Sequence, residues 1–199
     1  MGCDYIKINK PKKVVNFHKY NITMEHPKDV AEKFNIPYFN CSHNGYKIQS
    51  VIRDYNINFG IIAGARILKK NIIQCFSLGI LNFHPGLLPE SRGLDSILWS
   101  IYNKSNLGVS VHLINEKIDL GKLVLQRIFY PSKQDTIFDI YHEIYKLQIK
   151  LLPIAYNLVD NNKVFKTLNS KSYNTHMPNK KQIEVLERLK SYIEYNSSL

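Results

Sequence analysis

The run "FGIIAG", Phe59 to Gly64, is apolar at every position, with no polar residue alternating through it. A strand with one face in water alternates, so an unbroken run of this length fits a strand buried on both faces, as in a parallel sheet covered by helices. "CFSLGILNFHP", Cys75 to Pro85, reads the same way and stops at Pro85, which has no N–H to give a ladder. Helical patterns stand on either side. Ile48, Val51, Ile52 and Tyr55 follow i, i+3, i+4, i+7 spacing, and Leu94, Ile97, Leu98 and Ile101 mark another helix. Further towards the N-terminus, "KKVVNFH" reads as a short strand, and "HPKDVAEKFNI" as a helix opened near Pro27 that leads into a strand at "IPYFN".

Downstream, "GVSVHLI" and "GKLVLQRIFY" are strands joined by the loop "NEKIDLG", which predicts an antiparallel hairpin with a long turn. A long helix is expected from Asp135 or Thr136, with Asp139 completing a capping box, to Pro153 or beyond. Past Asn161 the chain turns polar; Pro178 and Asn179 then precede a final amphipathic helix carrying Ile183, Leu186, Leu189 and Ile193. This alternation of strands and helices predicts an α/β layer architecture.

With 199 residues, 44% of them hydrophobic, the chain can build one core of ordinary size. Cys3, Cys41 and Cys75 are odd in number and follow no CxxC spacing, which argues for a reducing compartment and against a disulfide framework or zinc knuckle. No apolar run reaches the roughly 18 residues of a membrane helix, and the N-terminus lacks a signal-peptide core. Met-Gly-Cys at the start invites a myristoylation reading, but Ile6 stands where Ser or Thr is required. A cytoplasmic protein with no membrane partner is expected. The net charge of +11 would favour anionic partners, yet the lysines are spread along the chain without an arginine and aromatic face, so no nucleic-acid partner is expected.

Residues i and i+2 of a strand share a face, so Asn82 and His84 point together at the C-terminal end of theirs, where ligand sites of open α/β sheets form. An amide donor beside an imidazole suits the oxyanion of a tetrahedral intermediate. Asp119 lies in a glycine-closed loop between two apolar strands, where a carboxylate has no packing role, and near His84 it would favour the imidazolium and take a proton from an amine. No Ser or Cys stands in a nucleophile elbow, which favours direct transfer to an amine. A strand end with a hydrogen-bonded Asn and His is the plainer alternative. His112 shares a strand face with Ser110 and is expected to be a buried support. The spacing of His84, His112 and Asp119 matches no established metal geometry, so no metal is expected. Arg92 follows the Leu-Leu-Pro turn, where contact with an anionic acceptor and solvation are equally open. Trp99 is expected to pack.

"LNFHPGLLPESRG" followed by "GVSVHLINEKIDLGKLVLQ" strongly resembles the 10-formyltetrahydrofolate-dependent formyltransferases, a group spanning nucleotide-sugar N-formyltransferases, glycinamide ribonucleotide formyltransferase and methionyl-tRNA formyltransferase. The resemblance runs from about Val14 to Val164. It implies a Rossmann-like α/β fold, a mostly parallel open sheet with flanking helices, and a catalytic domain over 1–164 followed by a C-terminal extension, 165–199, with a terminal helix. It assigns catalysis to Asn82, His84 and Asp119. It places the pterin against Ala65, Arg66, Ile67 and Leu68 of "AGARIL", with Ile114, Asn115, Glu116 and Ile118 closing over the same ring. Reduced folate, 10-formyltetrahydrofolate, is then a co-substrate, and an amine acceptor is the other small-molecule partner; a homodimer is left open.

The pattern departs from the family at its start. The strand at Val14 aligns with the family's second strand, and "MGCDYIKINKPKK" is too short for a crossover containing a helix. The usual first strand, its glycine and serine loop and its helix are expected to be lacking. That loop grips the phosphate in glycinamide ribonucleotide enzymes, and the tail from Asn161 is too short for the barrel of the tRNA enzymes. "YNTHMPNKKQIEVLERL" resembles the ending of some sugar formyltransferases. The first expectation is therefore formylation of a nucleotide-linked amino sugar for a surface polysaccharide, with glycinamide ribonucleotide as the alternative acceptor. Further alternatives are a methionyl-tRNA formyltransferase-like protein, a degenerate non-catalytic homologue and a basic RNA-binding module.

Overall fold

The computed structural model describes residues 25–64, 67–161, 163, 165–169 and 171–196. The strand expected at "KKVVNFH" lies outside the described residues. The elements run α1 (Pro27–Lys33), α2 (Tyr46–Asp54), β1 (Phe59–Ile62), α3 (Lys70–Ile73), β2 (Gly79–His84), α4 (Ser96–Tyr102), β3 (Leu107–Leu113), β4 (Lys122–Phe129), α5 (Ile137–Asp160), β5 (Lys166–Thr167) and α6 (Asn179–Asn196). The strands form one sheet in the order β1-β2-β3-β4-β5.

The two apolar runs become the parallel pair β1 and β2, with Phe59 opposite Gly79 and Ile62 opposite Asn82. The three other pairings are antiparallel, so the sheet is mixed among the described residues. The reason lies in the return of the chain after Pro85. β3 begins at the end of the sheet where β2 finishes, with His84 opposite Ser110, so the loop and α4 form a return connection and not a crossover. β1 is only half-buried, and Ile61 is 46% exposed. No strand is described at "IPYFN": Pro37 has no N–H for a ladder, and Ile36 stands mostly in solvent.

The main core gathers Leu81 of β2, Val109 and Val111 of β3, and Ile140, Ile144, Leu151 and Ala155 of α5, joined by α4 and α6. Thr136 caps α5 through the predicted box, its hydroxyl accepting from Asp139 N while the Asp139 carboxylate accepts from Thr136 N. The helix continues through Pro153 to Asp160. A smaller cluster of Cys41, Ile48, Ile52 and Ile72 seats α2 and α3, with Ile48 and Ile52 supplying the expected stripe. Of the positions expected on the packed side of α6, Ile193 is buried and Leu186 and Leu189 pack partly buried against the main core. Ile183 is exposed, and the buried positions are Gln182, Val185, Tyr192, Ile193 and Asn196. Polar groups can occupy that face because each finds a partner: Gln182 donates to Met177 O, the Tyr192 hydroxyl to Ser105 O and Asn196 to Tyr192 O. None of the described helices is long and apolar enough to cross a membrane.

Ser110 secures the loop after β2. Its hydroxyl accepts from Leu88 N at 2.8 Å and from Gln126 Nε2 at 2.8 Å, and donates to Gly86 O at 2.7 Å, all within the interior. Ser110→Ala would strand the Leu88 N–H away from water, so urea denaturation is expected to show a loss of about 1–3 kcal/mol. An unchanged midpoint would remove Ser110 as the anchor of this loop.

Candidate functional site

Directly opposite residues of an antiparallel pair share a face. Register therefore groups Asn82 with His112 and His84 with Ser110 at the C-terminal end of β2. A cavity of about 780 Å³ opens over this end and is lined by Asn82, His84, His112 and Asp119, by Ile62 of β1, by Ile67 and Leu68, by Ile114 to Ile118, and by His43, Phe83, Pro85, Gly93, Leu94 and Tyr173. Asn82, His84 and Asp119, expected to act together, thus meet in one wall. Of the expected pterin contacts, Ile67, Leu68, Ile114, Asn115, Glu116 and Ile118 all line the same cavity. Ala65 and Arg66 lie outside the described residues.

His84 is buried, and its Nε2 stands 2.9 Å from Ser91 O. A carbonyl only accepts, so Nε2 carries a hydrogen and Nδ1 is the nitrogen that gains or loses a proton. That Nδ1 faces Asp119 Oδ1 at 3.8 Å, and His112 Nε2 lies at 3.8 Å from the same oxygen. Both separations lie within charge-interaction range but beyond a direct hydrogen bond. The other carboxylate oxygen, Oδ2, accepts from Gly93 N at 3.1 Å. Asp119 holds a positive φ of 52°, which aspartate tolerates better than most residues, and its loop is braced by Asn115, whose side chain donates to Leu120 O and accepts from Lys117 N.

His112 lies 3.1 Å from the Asn82 amide through its Nε2, while its Nδ1 is buried without a hydrogen-bond partner. Burial pushes its pKa down to about 4; the Asp119 carboxylate pulls upward and His84 pushes further down. The His112 ring is therefore neutral at neutral pH. Among the described residues no group of three or more His, Cys, Asp or Glu is placed to hold a metal ion.

Arg92 is not among the residues that line this cavity. Its Nε donates to Ile118 O at 2.7 Å and its Nη1 to Lys171 O at 3.0 Å, and its guanidinium lies 5.6 Å from the Tyr173 ring centroid. It ties the Asp119 loop to the C-terminal segment. Sequence reasoning also passed over Asn44, whose side chain donates to Ile67 O and accepts from Lys69 N, clasping the loop that carries Ile67 and Leu68. The only sequence signal was an Asn-Gly pair ahead of α2, which marks a turn and says nothing of that partner.

The formyl transferase family model matches residues 7–156. GDP-perosamine N-formyltransferase of Brucella melitensis is 34% identical over 109 residues, covering 54% of this chain and 42% of that protein. Phosphoribosylglycinamide formyltransferase of Bacillus subtilis is 27% identical over 133 residues, covering 62% of this chain and 68% of that one. This chain spans 14% of a human trifunctional purine biosynthetic relative, so its match there is to one part of a longer protein. A formyltransferase of Anoxybacillus kamchatkensis, solved in complex with UDP-4,6-dideoxy-4-formamido-L-AltNAc and tetrahydrofolate, has the same fold, with a TM-score of 0.57 at 23% identity, covering 74% of this chain and 78% of that one.

The unfolded chain binds a proton at His112 near pH 6.5, and the folded protein only near pH 4. Stability attributable to this ring is therefore insensitive to pH above about 6.5 and falls as pH drops towards about 4. Urea midpoints across that window should fall more steeply for the wild type than for His112→Gln; parallel slopes would mean that the ring titrates while folded.

Proposed function

The chain belongs to the formyl transferase family, and from that premise we propose that it transfers a formyl group from 10-formyltetrahydrofolate to the primary amine of a nucleotide-linked amino sugar. The observation that carries the reading is the meeting of Asn82, His84 and Asp119 in the wall of one cavity that Ile67, Leu68 and Ile114 to Ile118 also line. The donor supplies an activated formyl carbon whose oxygen becomes negative when an amine attacks it.

Asn82 and His84 stabilise that oxygen. Turning the Asn82 amide so that its oxygen accepts from His112 Nε2–H leaves an unpaired acceptor at His112 Nδ1, which costs less than an unpaired donor. This half-turn exchanges amide groups of nearly equal size and aims the Asn82 NH₂ into the cavity. The His84 imidazolium donates from Nδ1, with the Asp119 carboxylate beside it offsetting its charge. Asp119 also takes the proton lost by the amine, directly or through water. As the carbon–nitrogen bond to the donor breaks, a proton returned from this pair to the departing nitrogen balances the transfer and releases tetrahydrofolate. Arg92, with its two backbone acceptors, acts as a positioning residue for the Asp119 loop.

The sugar acceptor is supported by the likeness to a GDP-perosamine N-formyltransferase and by the C-terminal helix beyond the sheet. Product for a surface glycan and a cytoplasmic site of action accompany this reading. Glycinamide ribonucleotide is the second reading, favoured by the match to 68% of the Bacillus subtilis enzyme.

Release of tetrahydrofolate, followed with GDP-perosamine and with glycinamide ribonucleotide as acceptors, tests the proposal. Turnover with GDP-perosamine is expected, with kcat falling on the order of 10²–10⁴-fold in His84→Ala and Asp119→Ala and about 10²–10³-fold in Asn82→Ala. Turnover only with glycinamide ribonucleotide would replace the acceptor. Full activity in the three variants would move the chemistry elsewhere.

A further inference from the structure

The segment 171–177 lies on the loop after β2 and is held there chiefly through its backbone. Asn174 forms a parallel bridge with Gly93, its N–H donating to Arg92 O at 2.9 Å while its carbonyl accepts from Leu94 N at 2.8 Å. Lys171 O accepts from Arg92, Thr175 O accepts from Trp99 Nε1 at 2.8 Å, and Met177 N donates to Asp95 Oδ2 at 2.9 Å. Gly93 has a φ of 105° and lies so close that a Cβ there would strike the Asn174 backbone, so only glycine permits this contact. The buried Met177 side chain pins the end of the segment.

Tyr173 is the residue of this segment that lines the cavity, as Gly93 and Leu94 of the facing loop also do. It is 40% exposed, as is Leu94. The Arg92 guanidinium, 5.6 Å from the ring centroid and fixed by two carbonyls, holds the ring in place. Gly93 also donates the N–H that orients Asp119. An amine giving its proton to Asp119 therefore lies close to this wall, and the group it carries meets Leu94 and Tyr173 when the folate occupies the side of Ile67, Leu68 and Ile114.

We propose that Tyr173 is the specificity-determining residue of the acceptor side, an aromatic platform for the C–H face of the acceptor's sugar ring. This rests on the formyl-transfer reading above. An aromatic face attracts the weakly positive C–H groups of a pyranose and excludes water from them, while its rim hydroxyl reaches the sugar's polar edge. Because backbone contacts hold the segment, changing the side chain leaves the wall in place.

The experiment compares wild type, Tyr173→Ala and Tyr173→Phe for the acceptor KM with GDP-perosamine, the folate KM with the formyl donor, and kcat, with thermal denaturation confirming folded protein. Tyr173→Ala should raise the acceptor KM about tenfold, the worth of one aromatic contact, with the folate KM and kcat within about twofold; Tyr173→Phe should recover most of that loss. An unchanged acceptor KM, or an equal rise in the folate KM, overturns the assignment. A wild type that uses only glycinamide ribonucleotide overturns the sugar acceptor, and a Tyr173→Ala effect confined to that acceptor's KM would then retain Tyr173 while replacing its ligand. A wild type that turns over neither acceptor is tested by calorimetry with GDP-perosamine in the presence of tetrahydrofolate: equal affinity in the wild type and Tyr173→Ala, or no binding to either, overturns the proposal.

Discussion

The antiparallel ladder between β2 and β3 sets every distance in the site. Its register puts Asn82 opposite His112 and His84 opposite Ser110, so four polar side chains of one face stand together at the sheet's end. A slip of one residue would turn Asn82 and His84 into the opposite layer. Burial resists that slip, because Leu81 is fully enclosed in the core, as are Val109 and Val111 of β3. The same ladder presents the Ser110 hydroxyl to the loop beyond Pro85, and that loop's Ser91 carbonyl then fixes the hydrogen on His84. Core packing thus determines a protonation pattern two steps away.

Charge in the site is kept simple by the same burial. Two imidazoles lie at equal distance from one Asp119 oxygen, and two cations there would repel one another across a poorly solvated space. Desolvation holds His112 neutral, so the two rings do not carry charge together. His112 then serves Asn82 in place of Asp119.

Much of this was legible in the sequence because it rests on local rules. Alternation along β2 puts Asn82 and His84 on one face, two unbroken apolar runs give the parallel pair, and Thr136 with Asp139 marks the start of α5. Features depending on distant partners were not. The Arg92 guanidinium looks solvated from its neighbours in sequence, yet its acceptors are Ile118 and Lys171, the latter 79 positions away. Hydropathy finds Leu186, Leu189 and Ile193 of α6 but not Gln182, Tyr192 and Asn196, which are buried with their hydrogen bonds made, a state that composition cannot register. Tyr173 sits in a stretch with no periodicity, and only its docking on Gly93 brings it to the cavity.

Gly93 is where these levels join. Its N–H turns inward to the Asp119 carboxylate, while the absence of a side chain lets the Asn174 backbone approach within hydrogen-bond reach of the residues on either side. Arg92 repeats the connection one residue earlier, with one nitrogen on the Asp119 loop and another on the C-terminal segment. A displacement of the segment would therefore be felt at the carboxylate through two independent links, and a displacement of the carboxylate would be felt at Tyr173. In this arrangement the C-terminal segment belongs to the site as fully as the strand that carries His84, although it lies beyond the residues that match the family model.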